Sequence, residues 1–175
     1  MKPKKIINIV VFVAIIAFMY GSVNNSSILS DSKNAYLGGI QFYSSGGTGY
    51  ENTFGAAADA SGYEVALAQA KAENKPVMVY FWAVWCQYCE KFETGTMTDP
   101  RVKSMMENDF ILISVDLDED SAISQKWGVS YPPNELFITA EGNEITRTPG
   151  YVDANSFTAT LQGVKSQYNG KGANN

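Results

Sequence analysis

Residues 77–84, VMVYFWAV, form an unbroken apolar run of β-favouring side chains, and the chain's two cysteines, Cys86 and Cys89, follow at once. Successive side chains of a strand point to opposite faces, so a half-exposed strand alternates apolar and polar residues. A run without that alternation has no face to give to water. It demands cover on both sides, as a central strand of a sheet flanked by helices has. A second run, FILISVDL at residues 110–117, makes the same demand.

The segments around these runs read as helices and one hairpin. Residues 61–74, SGYEVALAQAKAEN, open on Ser61 with Glu64 three positions later, a capping box, and set Tyr63, Ala66, Leu67 and Ala70 on one face. CQYCEKFETGTM reads as helix, and TDPRVKSMMEND starts another, with Asp99 as cap and Pro100 at the first helical position. DEDSAISQKWG is a short helix closed by Gly128. NELFITAEGNEITRTPG reads as two strands joined around residues 141–143, and VDANSFTATLQGVKSQY as a terminal helix capped by Asp153. The order α-β-α-α-β-α-β-β-α predicts a three-layer α/β/α sandwich with a central mixed sheet over residues 61–170. Residues 171–175 read as a frayed tail.

The first 60 residues differ in kind. MKPKK followed by the apolar residues 6–20, extendable to 23, reads either as a secretory signal or as a short retained membrane anchor. None of the small-residue pairs after it makes a clean cleavage site, which favours the anchor, and no cysteine follows to carry a lipid. In both readings the lysines stay in the cytoplasm and the rest is exported, to a periplasmic or other extracytoplasmic location. Residues 24–60 are rich in Ser, Gly and Asn, keep no period of 2 or 3.6, and read as a flexible linker. The aromatics in it (Tyr36, Phe42, Tyr43, Tyr50 and Phe54) either dock on the domain or a partner or are scattered without a role; the composition favours the second.

Charge and composition remove several functions. The chain carries −5 overall, with three of its thirteen positive charges at Lys2, Lys4 and Lys5, and nothing resembles the basic stripe of a nucleic-acid binder. It contains no histidine, which rules out Ser-His-Asp and Cys-His catalysis and most zinc sites. Two thiols alone complete a zinc site only if two copies share it. A structural disulfide across so short a loop constrains the unfolded chain little. Both readings stand beside a redox one, which the context favours. A buried strand runs straight into a helix whose first turn holds Cys86, where backbone N–H groups and the positive helix end stabilise a thiolate. Cys89, three positions on, shares its face, so the two sulfurs can bond. Cys86 is then the exposed attacker and Cys89 the resolving thiol. Trp85 either shields one side of the site or is ordinary packing.

The stretch VMVYFWAVWCQYC resembles the active-site strand and helix start of thioredoxins. With ALAQAKAENKPV before it and CEKFETGTMTDPRVKSMM after it, the chain looks most like the C-terminal extracytoplasmic domain of the disulfide reductase DsbD and its relatives. The resemblance covers about residues 61–170. It implies a thioredoxin-like fold, a redox-active cysteine pair with no other cofactor, and a loop, GVSYPPNELFI, in which Pro133 is a cis-proline facing the dithiol and presenting backbone to the substrate. Three positions depart from the family pattern. Tyr80 stands where a buried Asp usually helps the resolving thiol lose its proton; Pro133 is followed by Asn134 rather than Thr; and Glu90 stands where many thioredoxins carry Lys. Glu90, Glu93 or a water becomes a candidate proton acceptor in place of the missing Asp, although the composition around Glu90 favours a solvated surface residue.

The strongly oxidising family members have a Pro-His pair between their cysteines. Gln87 and Tyr88 supply no cation to hold a thiolate, which implies an intermediate to reducing potential. The expected function is a membrane-tethered or secreted thiol-disulfide oxidoreductase. Its expected partners are exported proteins with disulfides, a transmembrane electron donor, and the membrane through residues 6–23. The alternative is a thioredoxin-fold binding or envelope-assembly factor without redox turnover.

Overall fold

The two apolar runs lie side by side at the centre of one sheet. The structure of the chain, a computed structural model, describes residues 34–37, 40–44 and 62–172. In chain order its elements are β1 (Asn34–Leu37), β2 (Ile40–Ser44), α1 (Gly62–Glu73), β3 (Val77–Trp82), α2 (Gln87–Lys91), a π-helical turn (Phe92–Thr96), α3 (Pro100–Asp109), β4 (Ile111–Asp116), α4 (Ser121–Trp127), β5 (Asn134–Ile138), β6 (Glu144–Pro149) and α5 (Ala154–Gly172). The proposed anchor at residues 1–23, Ser61 of the capping box and residues 173–175 lie outside the described residues.

Strands β3 and β4 are parallel, from Val77 opposite Ile111 to Trp82 opposite Asp116, and in each only the last residue is less than fully buried. This is the cover that runs without alternation require. On the other flank of β3 lies β5, antiparallel to it, and β6 pairs antiparallel with β5 to close that edge. The six strands run in the order β1-β2-β4-β3-β5-β6, a mixed sheet.

Helices cover both faces. Tyr63, Ala66 and Ala70 of α1, with Ile123 and Trp127 of α4, pack on Val77, Val79, Phe81, Ile113 and Leu136. On the opposite face Cys86, Cys89 and Phe92, together with Val102 and Met106 of α3 and Phe157 and Leu161 of α5, pack on Met78, Tyr80 and Phe137. The alternation of β3 residues between the two layers follows from the two-residue period of the strand. The helix starts are capped as their sequences predict. Asp99 Oδ1 accepts from the Arg101 N–H at 2.9 Å, with Pro100 at the start of α3, and Asp153 Oδ1 accepts from the Asn155 and Ser156 N–H groups. Gly128 ends α4 in the left-handed conformation, φ 63°, a geometry glycine adopts without strain.

Part of the segment expected to be a linker is sheet instead. Strands β1 and β2 pair antiparallel, with Leu37 opposite Ile40, and β2 adds in parallel to the free edge of β4, with Tyr43 opposite Ile113. Ile40 and Phe42 are buried in the layer that also holds the cysteines, and the Tyr43 hydroxyl donates to Gln69 of α1. Phe42 is therefore core, not a scattered aromatic. In sequence only Gly38 and Gly39 separate the two strands. Tyr50 and Phe54 lie outside the described residues. Among the described residues no helix is long and apolar enough to cross a membrane.

Candidate active site

Strand β3 leads directly to the cysteines. After Trp82 the chain turns, the Cys86 N–H donating to the Ala83 carbonyl at 3.1 Å, and Cys86 becomes the residue that caps α2. Its backbone is extended, φ −86° and ψ 98°, and its Sγ accepts from the Cys89 N–H at 3.0 Å. The sulfurs are bonded, S–S 2.09 Å, with the Cα atoms 5.2 Å apart. Cys86 is the more accessible of the pair, 8% exposed against 2% for Cys89. A reagent arriving from solvent therefore meets Cys86 first, and Cys89 lies within the core layer.

Past α2 the helix widens into the π turn, where the Met97 N–H reaches the Phe92 carbonyl at 2.9 Å. The turn sets Phe92 and Glu93 over Tyr80. The Tyr80 ring is 5.6 Å from that of Phe92 and 6.1 Å from that of Phe42, and its hydroxyl donates to Glu93 Oε1 at 3.1 Å. Burial pushes the Tyr80 hydroxyl far above its ordinary range, with Glu93 and then Glu135 adding to the effect. Burial also raises Glu93, assisted by the charge of Glu90 and opposed by the Tyr80 bond.

Trp85 is exposed, and its Nε1–H donates to Asp118 Oδ2 at 2.8 Å, tying the residue before Cys86 to the loop that follows β4. Val84, Tyr88 and Tyr131 are exposed too. Glu90 sits exposed on α2. The Pro132-Pro133 bond is cis, and the Gly150 N–H holds the Pro133 carbonyl at 2.8 Å. Because Asn134 pairs with Phe81, Pro133 lies at the end of the sheet from which β3 delivers Cys86.

One residue of this region escapes sequence reading. Glu135 follows the cis-proline by two positions and is completely buried. Thr148 Oγ1 donates to its Oε2 at 2.6 Å, while Oε1 has no hydrogen-bond partner. Burial lifts its carboxyl from the usual 4.5 to about 8, against the Thr148 bond. The available signal was a lone carboxylate between Asn134 and the apolar LFI of residues 136–138, at a position that alternation assigns to the cysteine face. Among the described residues no three His, Cys, Asp or Glu side chains converge as metal ligands would.

Comparison with known proteins agrees with this architecture. A family model for the thioredoxin-like domain matches residues 63–165. The chain is 36% identical over 98 residues to the thiol:disulfide interchange protein DsbD of Yersinia pestis, a match that covers 53% of this chain and 16% of that protein. It thus spans about a sixth of the length of the curated relatives it matches. Among solved structures, a thioredoxin from Thermus thermophilus superposes with a TM-score of 0.54 at 30% identity, over 58% of this chain and 82% of that one. The C-terminal domain of Neisseria meningitidis DsbD in its reduced form gives 0.50 at 26%, over 58% and 92%. Through this domain the chain is related to DsbD and to thiol-disulfide oxidoreductases. With a family match over more than half its length, and a solved thioredoxin akin to it in sequence as well as fold, the chain belongs to the thioredoxin-like domain family.

Proposed function

We propose that the chain is an exported thiol-disulfide oxidoreductase, tethered by its apolar N-terminal segment, that acts on protein disulfides and works as reductant rather than oxidant. The observation that carries the reading is the bonded pair at the strand-to-helix junction, with Cys86 the more accessible of two buried sulfurs, 8% exposed against 2% for Cys89. In the dithiol state the Cys86 thiolate attacks a substrate disulfide and the proximal substrate sulfur stays on Cys86 as a mixed disulfide. Cys89 then attacks Cys86 Sγ, the second substrate thiolate leaves, and the protein is left in the bonded state with two electrons transferred. The Cys89 N–H that points at Cys86 Sγ favours the anionic sulfur in the first step.

The surroundings support a protein substrate. Val84, Trp85, Tyr88 and Tyr131 are 79%, 62%, 62% and 56% exposed, an apolar rim of the kind that marks an interaction site. Trp85 forms one wall of that rim, held by Asp118. The cis peptide before Pro133 offers backbone for an extended substrate chain to lie along. Gln87 and Tyr88 bring no cation to the thiolate, which favours the reducing direction and calls for a transmembrane electron donor to restore the dithiol.

The full chain should reduce insulin with a thiol as electron source, and Cys86→Ser should abolish turnover. Cys89→Ser should trap partners as mixed disulfides on Cys86. A wild-type protein without turnover defeats the proposal and leaves the rim as the surface of a binding or assembly factor. A potential in the range of strong periplasmic oxidants, about −120 mV, overturns the direction alone.

A further inference from the structure

A thiol attacks a disulfide only as its thiolate, and Cys89 lies where burial penalises that charge. Its proton needs a receiver in the same apolar layer. The titratable groups that face this layer are Tyr80 from β3, Glu93 from the π turn, the two cysteines from the start of α2, Tyr151 from the segment between β6 and α5 with the Lys91 ammonium 4.2 Å over its ring, and Glu135 from β5, with the Thr148 hydroxyl of β6 beside it. Helices α3 and α5 turn Val102, Met106, Phe157 and Leu161 toward it, none of them ionisable. Glu90 is exposed and reaches the layer only through its charge on Glu93.

These groups are not equivalent. The Tyr80 hydroxyl is a donor, already committed to Glu93. Glu93 is half-buried and has that hydroxyl on Oε1. Glu135 is fully buried and keeps one carboxyl oxygen unpartnered. In the β3–β5 register it stands directly opposite Tyr80, so it enters the floor of the site from the neighbouring strand. A fully buried carboxyl with an idle oxygen, on the face of β5 that also carries Phe137, destabilises the fold, and its placement matches the missing receiver.

Resting on the oxidoreductase reading above, we propose that Glu135 is the internal proton acceptor of Cys89. In the mixed disulfide, ionised Glu135 takes the Cys89 thiol proton and becomes a neutral carboxyl. The Cys89 thiolate attacks Cys86 Sγ, the bond from Cys86 to the substrate sulfur breaks, and its electron pair leaves on the substrate thiolate as the Cys86 to Cys89 bond forms. One negative charge moves from carboxylate to departing thiolate, and the apolar layer is left neutral. Electrons and protons balance without a further reactant.

The test uses the reduced full chain and the coloured aryl disulfide dithiobis(nitrobenzoate). Attack by Cys86 releases the first nitrothiobenzoate and resolution by Cys89 releases the second, so stopped flow separates the steps. In the wild type the second phase should accelerate with pH through about 8, where Glu135 ionises. In Glu135→Gln it should slow by at least about tenfold near neutrality and lose that inflection, while the first phase stays within about twofold. Glu93→Gln should keep the inflection. A second phase unchanged in Glu135→Gln, or an inflection that moves with Glu93, overturns the inference; absence of the first phase in the wild type overturns the oxidoreductase reading instead. Carbon NMR of the wild-type Glu135 carboxyl gives a readout free of any variant. Its titration should shift between dithiol and disulfide forms, and identical curves overturn the coupling to Cys89.

Discussion

Glu135 determines the sign of the fold's response to alkali. Its carboxyl ionises near 8 in the folded chain and near 4.5 in the ordinary range, so between those values the folded state holds a proton that the unfolded state has released. Stability from this group is full below the lower value and is lost as pH rises through the upper one. The melting temperature of the oxidised protein should therefore fall between about pH 5 and about pH 9, and Glu135→Gln should flatten the curve and melt higher at the alkaline end. Parallel curves for the two proteins would show that the side chain ionises freely in the folded state. The two cysteines were legible in the sequence because their contact is local, three positions apart at one helix start. Glu135 was not, since its meaning comes from lying opposite Tyr80 across a strand pair whose register is set by the whole sheet.

At the scale of elements, what the sequence disclosed follows the length of each signal. Strand β3 stands out because it holds no polar residue and β4 because its apolar run is broken only by Ser114 before it ends at Asp116; α3 and α5 stand out because Asp99 and Asp153 mark their starts, and α4 because Gly128 marks its end. The β1–β2 hairpin is short and flanked by Gly, Ser and Asn, so the alternation that sends Ile40 and Phe42 inward is too brief to read. The burial of Ile40 and Phe42 is decided by the free edge of β4, whose Ile113 pairs with Tyr43 from 70 positions away in sequence. Phe42 is completely enclosed beside Tyr80, and truncating such a ring leaves a cavity that neighbours refill only in part. Phe42→Ala in the full chain should cost about 3 kcal/mol in urea unfolding. A loss below about 1 kcal/mol would mean that the hairpin does not hold its place on the sheet.

The whole molecule divides its labour between the two faces of one sheet. The layer under α1 and α4 is closed and apolar, an inert base. The layer under α2, α3 and α5 carries the disulfide, the phenol of Tyr80 and the carboxyls of Glu93 and Glu135. That concentration has a consequence for how the protein exchanges protons with its medium. Imidazoles and free thiols are the side chains that ordinarily buffer near neutrality, and this chain has no histidine and keeps both sulfurs bonded when oxidised. Beside the α-amino group, its neutral-range buffering then rests on the Glu135 carboxyl sealed in the core. A potentiometric titration of the oxidised protein should show one proton released around pH 8 that Glu135→Gln does not release, and superimposable titrations would refute it. Such a protein answers a change in external pH around 8 through a group in its interior.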